Sequence, residues 1–115
     1  MAGEVNREGD GAVAVTAHPR RPESIFVRNA SDHPVDLYGY ELAIHGSAYD
    51  FGEWPPLAPG QTLQVDVGGD PADDTALHRH WGLDRLLLPD QGGLVRLTTF
   101  DQIVLACDAW GSRAC

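Results

Sequence analysis

The chain has 115 residues, the size of one ordinary domain, and carries 17 acidic against 8 basic residues for a formal net charge of −9. It lacks the basic composition that binds phosphate, so we exclude nucleic acid and anionic membrane surfaces as partners. Residues 1–11 contain no apolar segment typical of a signal peptide, and no run of about eighteen apolar residues would cross a membrane. We therefore expect cytoplasmic synthesis and no membrane insertion.

Most of the chain alternates between short apolar segments and turns. Apolar side chains at every second position are typical of strands with one buried face. Proline, glycine and aspartate separate these segments at intervals of about eight to twelve residues, which is typical of an antiparallel sandwich or barrel. We therefore predict an all-β domain of about seven strands. The candidate strands are 12–17, 23–29, 35–44, 61–67, 94–98 and 103–109, with 48–54 as a short edge strand or 85–88 as a further one.

The segment 29–44 organises the predicted domain. A polar turn with a proline at its end leads into a long strand over 35–44. Gly39 inside this strand predicts a bulge or the close approach of another backbone. The apolar face at period two carries Tyr38, Tyr40, Leu42 and Ile44.

The first residues differ from the rest of the chain. Residues 1–11 are polar and charged, and we predict that they form an arm without core contacts. Residues 12–115 contain every predicted strand and no internal repeat, so we expect them to form a single domain.

The least regular stretch lies between residues 68 and 89. Asp73 or Asp74 can cap a short helix over 75–81, and Gly82 suits the left-handed position that ends a helix. The same composition also suits a loop. We therefore predict a short helix or an irregular segment around residues 73–82.

Several motifs occur in an order known from one family. These motifs are IFVRNASDHPVDLYGYEL (25–42), an aromatic strand at 49–54, LAPGQTLQV (57–65) and GGLVRLTTFDQIVLACDAW (92–110). Together they resemble the lamin tail domain, and the resemblance extends over nearly the whole chain after Glu23. It implies an immunoglobulin-like antiparallel β-sandwich that serves as a structural or interaction module without a shared catalytic site.

Aspartate and histidine are concentrated between residues 66 and 80. Carboxylates on a flexible backbone can bind calcium, although the spacing lacks the terminal glutamate of a helix–loop–helix calcium loop. The two histidines share a face on a strand but diverge by about 200° on a helix, and no cysteine or further histidine nearby completes a zinc site. Either a solvated loop or a metal site, with calcium as the possible cofactor, fits this stretch. The candidate ligands are Asp66, Asp70, Asp73, Asp74, His78 and His80.

Candidate catalytic residues are few. Ser31, Asp32 and His33 are adjacent in a turn, so their side chains point apart and do not form a triad. Two cysteines are too few for a disulfide scaffold, so we expect free thiols. Cys107 is expected to face the core, and Cys115 to be a free terminal thiol unless it reaches Cys107 or another chain. We therefore do not expect an enzyme.

Aromatic residues indicate where a partner would bind. All three tryptophans lie at strand ends or in loops, and we expect at least one of them to be buried. Trp54 with Pro55 and Pro56 forms a rigid apolar patch of the kind that interfaces use. The predicted interface consists of Trp54, Pro55, Pro56 and Trp81.

These observations favour a non-catalytic structural module that docks on a larger protein assembly. It would be a surface decoration, for example on a virus capsid, or an adaptor, with protein partners or copies of itself. The alternative is a ligand- or calcium-binding module that uses the loop 66–80. The sequence does not specify where the protein finally resides, and a virion or another assembly is one such location.

Overall fold

The computed structural model describes residues 4–5, 12–20, 22–44, 46–83, 87–89, 91–111 and 113–115, with the backbone alone for residues 4–5. These residues form nine β-strands and one 3₁₀ helix, Pro71–Asp73. The strands are β1 (Glu4–Val5), β2 (Val13–His18), β3 (Ser24–Asn29), β4 (Glu41–Ile44), β5 (Ser47–Asp50), β6 (Thr62–Asp66), β7 (His78–His80), β8 (Gly92–Thr98) and β9 (Val104–Gly111). No helix within these ranges has the length and apolar character that a membrane span requires.

The strands form two sheets that pack face to face. One sheet has the order β1-β9-β8-β4-β5 and the other the order β2-β3-β6-β7. Neighbouring strands are antiparallel except β6 and β7, which run parallel. The prediction of an all-β sandwich with mostly antiparallel strands is therefore confirmed.

The core lies between the two sheets and follows the alternation in the sequence. The predicted inward faces of β3 and β6 are buried, whereas Arg28 and Thr62 on their other faces are exposed. Each aliphatic side chain contributes about 1.5–3 kcal/mol when fully buried, so this layer is the main source of stability. Its fully buried large aliphatic strand residues are Val15, Ile25, Val27, Leu42, Ile44, Leu63, Val65, Val95 and Leu97.

The long strand predicted over 35–44 is shorter in the structure. Val35 makes only an isolated bridge to Leu57, and regular pairing begins at Glu41. Between them the chain turns, because Gly39 adopts a positive φ of 83° that other residues rarely adopt. The predicted common face therefore holds for Leu42 and Ile44 at its buried end, whereas Tyr38 is 60% exposed.

The helix alternative for residues 75–81 is wrong. Residues His78–His80 form β7, which pairs with β6 in the register Val65↔Arg79. The edge of β6 forms hydrogen bonds with the residues just before and just after β7. Gln64 N–H donates to the Leu77 carbonyl, and Trp81 N–H donates to the Asp66 carbonyl. This tertiary pairing outweighs a weak local helix preference. The stretch before β7 is the predicted irregular segment.

Two further predicted segments lie partly outside the described residues. Within the predicted arm, Glu4–Val5 pairs with β9 and so belongs to a sheet. Of the strand predicted over 85–88, the described residues Leu87 and Leu88 are buried but not in a strand. The buried carboxylate of Glu23 accepts hydrogen bonds from both of their backbone N–H groups, at 2.6 and 3.0 Å.

Strand β9 corrects the predictions for both cysteines. Cys107 is buried at 2% exposure on the face of β9 opposite to that of Asp108, where it pairs with the exposed Arg96, and it forms a disulfide with Cys115. Free thiols were therefore the wrong expectation. The inward face of β9 instead carries Asp108, whose carboxylate accepts a hydrogen bond of 2.7 Å from the Ala17 backbone N–H. In the sequence, the charged Asp108 indicated that its face of the strand points to solvent, and this led to the opposite face being assigned to the core.

Candidate functional site

Strand β7 separates two groups of functional residues. Side chains alternate along a strand, so His78 and His80 lie on one face and Arg79 on the other. Arg79 is buried at 3% exposure and lines a groove, whereas the histidines lie on the outer face of the sheet. Parallel pairing of β7 with β6 places Asp66 directly opposite His80 on that outer face.

The outer face brings together three of the six predicted metal ligands. The Nε2 of His78 lies 2.7 Å from the Oδ2 of Asp66, and the Nε2 of His80 lies 3.9 Å from the same oxygen. One ligand atom from each of the three side chains lies within 4.8 Å of the others. The two imidazole rings are 4.9 Å apart and tilted by only 32°. This arrangement can hold a divalent ion.

The carboxylate of Asp66 is fixed by its second oxygen. Its Oδ1 accepts hydrogen bonds from the Ser24 hydroxyl at 2.8 Å and from the Gln64 amide at 2.7 Å. Partial burial acts to raise the pKa of Asp66, but the hydrogen bonds from His78, Gln64 and Ser24 outweigh it and hold the pKa below the usual range. Asp66 is therefore an oriented anion with Oδ2 directed at the two histidines.

The ring of His80 is fixed from two sides. Its Nδ1 lies 2.9 Å from Asp74 Oδ1, and the same oxygen accepts the His80 backbone N–H at 2.7 Å. Gly69, at a φ of +89°, packs its backbone so closely on the ring that a Cβ there would overlap the imidazole. Asp74 and Gly69 thus set the orientation of His80.

The other predicted ligands have different roles. Asp70 caps the 3₁₀ helix by accepting the Ala72 backbone N–H, and Asp73 is exposed within that helix. Asp74 contacts His80 and does not form a cluster with the other predicted carboxylates. Sequence reasoning missed Ser24 and Gln64, because their contacts with Asp66 depend on the pairing of β3 with β6 in the register Ser24↔Asp66.

The groove on the other side of β7 contains the predicted aromatic–proline patch. It has a volume of about 230 Å³ and opens to solvent. Tyr38 is 60% exposed and Leu77 39% exposed beside it, so two large side chains present apolar surface to solvent at the groove. The apolar side chains that line it are Leu37, Tyr38, Trp54, Pro55, Pro56, Leu57, Ala76 and Leu77.

Arg79 connects this groove to the core. Its guanidinium donates to the Phe51 carbonyl at 2.8 Å and to the Ala76 carbonyl at 3.2 Å, and it lies 4.7 Å from the centre of the Trp54 ring. Burial lowers the pKa of Arg79, while the nearby Tyr49 and Asp74 favour its charged form. The groove therefore has an aromatic wall that rests on a buried cation.

The remaining tryptophans lie apart from the groove lining. Trp81 is partly buried and packs on Tyr49 with ring centres 5.7 Å apart, and it is not among the residues that line the groove. Trp110 is buried at 5% exposure and donates its indole N–H to the Pro89 carbonyl. It is the buried tryptophan that the sequence led us to expect.

Comparison with known proteins leaves the family open. No family model matches the chain, and no curated protein matches its sequence. The resemblance to the lamin tail domain therefore stays a prediction.

Proposed function

We propose that this protein is a non-catalytic interaction module that docks on a larger assembly, as an adaptor or surface decoration, through the groove between Tyr38, Trp54 and Leu77. Its occupant is an extended segment of a partner protein that carries an apolar anchor side chain flanked by basic residues. The observation that carries the proposal is the exposed aromatic–proline groove with the buried Arg79 behind its aromatic wall. The lamin tail resemblance implies the same class of function.

The residue types in the groove are those that dominate binding energy at protein interfaces. Tryptophan, tyrosine and arginine are enriched among hot spots, and Trp54, Tyr38 and Arg79 are within this one groove. A volume of about 230 Å³ accommodates one or two apolar side chains, which suits a short peptide segment and not a whole domain.

The groove is preorganised. Trp54 rests on the Arg79 guanidinium, and Arg79 is in turn held by two backbone carbonyls. Pro55 and Pro56 restrict the adjoining backbone. A wall that is rigid before binding loses little conformational entropy when a peptide binds, so a small interface can reach useful affinity.

Charge selects the chemistry of the partner. Asp36 and Glu53 are exposed and adjoin groove residues in sequence, and the whole chain carries a formal charge of −9. Basic residues on either side of the anchor would meet this acidic rim, speed association and disfavour acidic competitors.

The local contacts of the serine–histidine turn support a non-catalytic assignment. The Ser31 hydroxyl hydrogen-bonds with the Asn29 side chain at 2.7 Å, and the exposed His33 pairs with its neighbour Asp32. The hydroxyl and imidazole therefore engage other groups and do not form a nucleophile–base pair.

The test uses fluorescein-labelled nine-residue peptides with a central leucine–proline anchor and flanks of lysine, serine or glutamate. In fluorescence polarisation at low salt, we expect saturable binding that is at least tenfold tighter for lysine flanks than for glutamate flanks. Trp54→Ala and Tyr38→Ala should each weaken it tenfold or more, since hot-spot truncation costs about 2 kcal/mol or more.

The matched control is Ile103→Ala, which removes a 48% exposed apolar side chain that does not line the groove. It should leave the affinity unchanged. Absence of saturable binding by every peptide set, or equal binding by the wild type and Trp54→Ala, overturns the proposal. A stable oligomer at micromolar concentration that protects Trp54 also overturns it, because the groove would then bind a second copy.

A further inference from the structure

We infer that Asp66, His78 and His80 form a binding site for one divalent first-row transition ion, of the Zn²⁺ class, on the outer face of β6 and β7. This site is separate from the groove and does not depend on the proposed docking function. Its three ligands come from two paired strands, and their spacing is set by backbone register and not by a loop.

The ligand atoms are close to the geometry that such an ion requires. A tetrahedral ion with bonds of about 2.0–2.1 Å separates its ligand atoms by about 3.3 Å. The distances from Asp66 Oδ2 to the two Nε2 atoms are 2.7 and 3.9 Å, and all three atoms lie within 4.8 Å of one another. Side-chain rotations that move the ligand atoms by a few tenths of an ångström to about one ångström would make the three distances equal.

The donor set selects the class of ion. Two imidazole nitrogens and one carboxylate oxygen suit zinc, iron, nickel, copper and cobalt, whereas Ca²⁺ takes six to eight oxygen ligands. Of the predicted carboxylates, Asp70 caps a helix and Asp74 contacts His80, so the described loop does not gather an oxygen cage. The calcium expectation is therefore replaced here by a transition ion.

The residues around the ligands have the contacts that orient ligands in metalloproteins. A metal-binding histidine commonly donates its other ring N–H to a carboxylate, which fixes the tautomer. His80 Nδ1 lies 2.9 Å from Asp74 Oδ1, and with its proton on Nδ1 the ring presents the Nε2 lone pair towards Asp66. Asp74 is thus a positioning residue for His80, as Ser24 and Gln64 are for Asp66.

The geometry around His80 also explains why a cation fits. In that tautomer its Nε2 lone pair and the Asp66 carboxylate face each other at 3.9 Å, too far apart for a hydrogen bond. Two electron-rich atoms at this separation repel unless a positive charge lies between them. When the ion binds to Nε2 of a neutral His78, the ring hydrogen moves from Nε2 to Nδ1, and the ion takes the place of the hydrogen bond between His78 and Asp66.

Three protein ligands leave at least one coordination position for water or for a ligand from outside. The His78 side chain is 47% exposed, whereas those of Asp66 and His80 are 20% and 14% exposed. The open position therefore faces solvent beside His78. The ion enters without a rearrangement of the core.

The competing explanation is a hydrogen-bonded cluster in which a protonated His80 lies between Asp66 and Asp74. Isothermal titration of the chelator-treated full chain with Zn²⁺ separates the two. We expect one Zn²⁺ per chain, with affinity reduced at least tenfold by His78→Gln and by His80→Gln. Asp74→Asn should reduce it about tenfold through the orientation of His80.

His33→Gln is the matched control, because His33 also pairs with an aspartate but lies alone on an exposed turn. It should bind Zn²⁺ as the wild type does. Co²⁺ should give the intense visible absorption of a tetrahedral site, and Ca²⁺ should give no saturable heat.

A second measurement does not depend on any variant folding. Imidazole ¹H–¹⁵N spectra of the wild type should show the Nε2 resonances of two histidines shift on addition of one equivalent of Zn²⁺. No shift of these two resonances, no binding of Zn²⁺, equal binding by His80→Gln, or preferential binding of Ca²⁺ would each overturn the inference.

Discussion

The two faces of the three-residue strand β7 differ in the charge and burial of their side chains. On the outer face, His78 and His80 meet the Asp66 carboxylate near solvent, and the local charge is negative and open to a cation. On the inner face, the Arg79 cation is buried and its contacts are carbonyl oxygens and aromatic rings. One edge strand thus carries both the proposed ion site and the proposed peptide groove, and the two share no side chain.

The largest expected effect comes from the inner face. Arg79→Ala leaves the Phe51 and Ala76 carbonyls without the guanidinium and removes support from Trp54. We expect a loss of about 2–4 kcal/mol in the free energy of unfolding, from unpaired carbonyls and a cavity. Urea denaturation followed by tryptophan fluorescence measures it. A loss below about 1 kcal/mol would show that water replaces the guanidinium and that Arg79 contributes little to the stability of the fold.

Gly69→Ala is the corresponding change on the outer face. The new methyl group would overlap the His80 ring, and the backbone is held at a φ of +89°. We expect a loss of about 1–3 kcal/mol in the free energy of unfolding. Zn²⁺ affinity should fall at least tenfold because His80 turns away from Asp66. Gly60→Ala, at a positive φ with open space around it, is the control that keeps the backbone strain without the overlap.

Trp54→Ala tests whether the two faces are independent. Trp54 is partly exposed, so we expect a loss of only about 1 kcal/mol from its contact with Arg79, and a domain that remains folded. Peptide affinity should fall while Zn²⁺ affinity stays within a factor of about two. A variant that fails to fold would place Trp54 in the core and contradict the docking assignment. A change in Zn²⁺ affinity would show that β7 couples its faces.

The smallest expected effect is on acid stability in the presence of a chelator. The pKa of Asp66 is below its usual range in the folded protein, so its ionisation stabilises the fold fully above the unfolded value of about 4. That contribution is lost as the pH falls from about 4 through the folded pKa. Asp66→Asn should therefore flatten the dependence of unfolding free energy on pH below about 4. An identical dependence in both proteins would show that the hydrogen bonds to Asp66 do not favour its charged form.

The sequence predicted those parts of the fold that depend on local alternation. Ile25, Val27, Leu63 and Val65 occupy every second position of their segments, and all four are buried. It did not predict β7, because a three-residue strand gains its stability from the edge of β6 and its own residues carry almost no strand signal. The wrong assignment of Cys107 has a similar cause, since Asp108 on the inward face is satisfied by Ala17 of a strand 91 residues away in sequence.

The candidate site was predicted in composition but not in arrangement. Asp66, His78 and His80 stood out as ligand types, and the two histidines share a face only because β7 is a strand. Ser24 and Gln64 carried no visible signal, because an ordinary serine and an ordinary glutamine become supports for Asp66 only through the β3–β6 register. Trp81 was grouped with Trp54 in the predicted interface, and its contact with Tyr49 carried no signal in the sequence because it arises from tertiary packing.

The bond between Cys107 and Cys115 makes the end of the chain sensitive to its surroundings. In an oxidising compartment the last residues are closed into a small ring against the outer surface of β9. In a reducing compartment the bond opens, and residues 113–115 lose their covalent link to β9. A fusion attached after Cys115 would then be held close to the sandwich in one environment and would extend freely in the other.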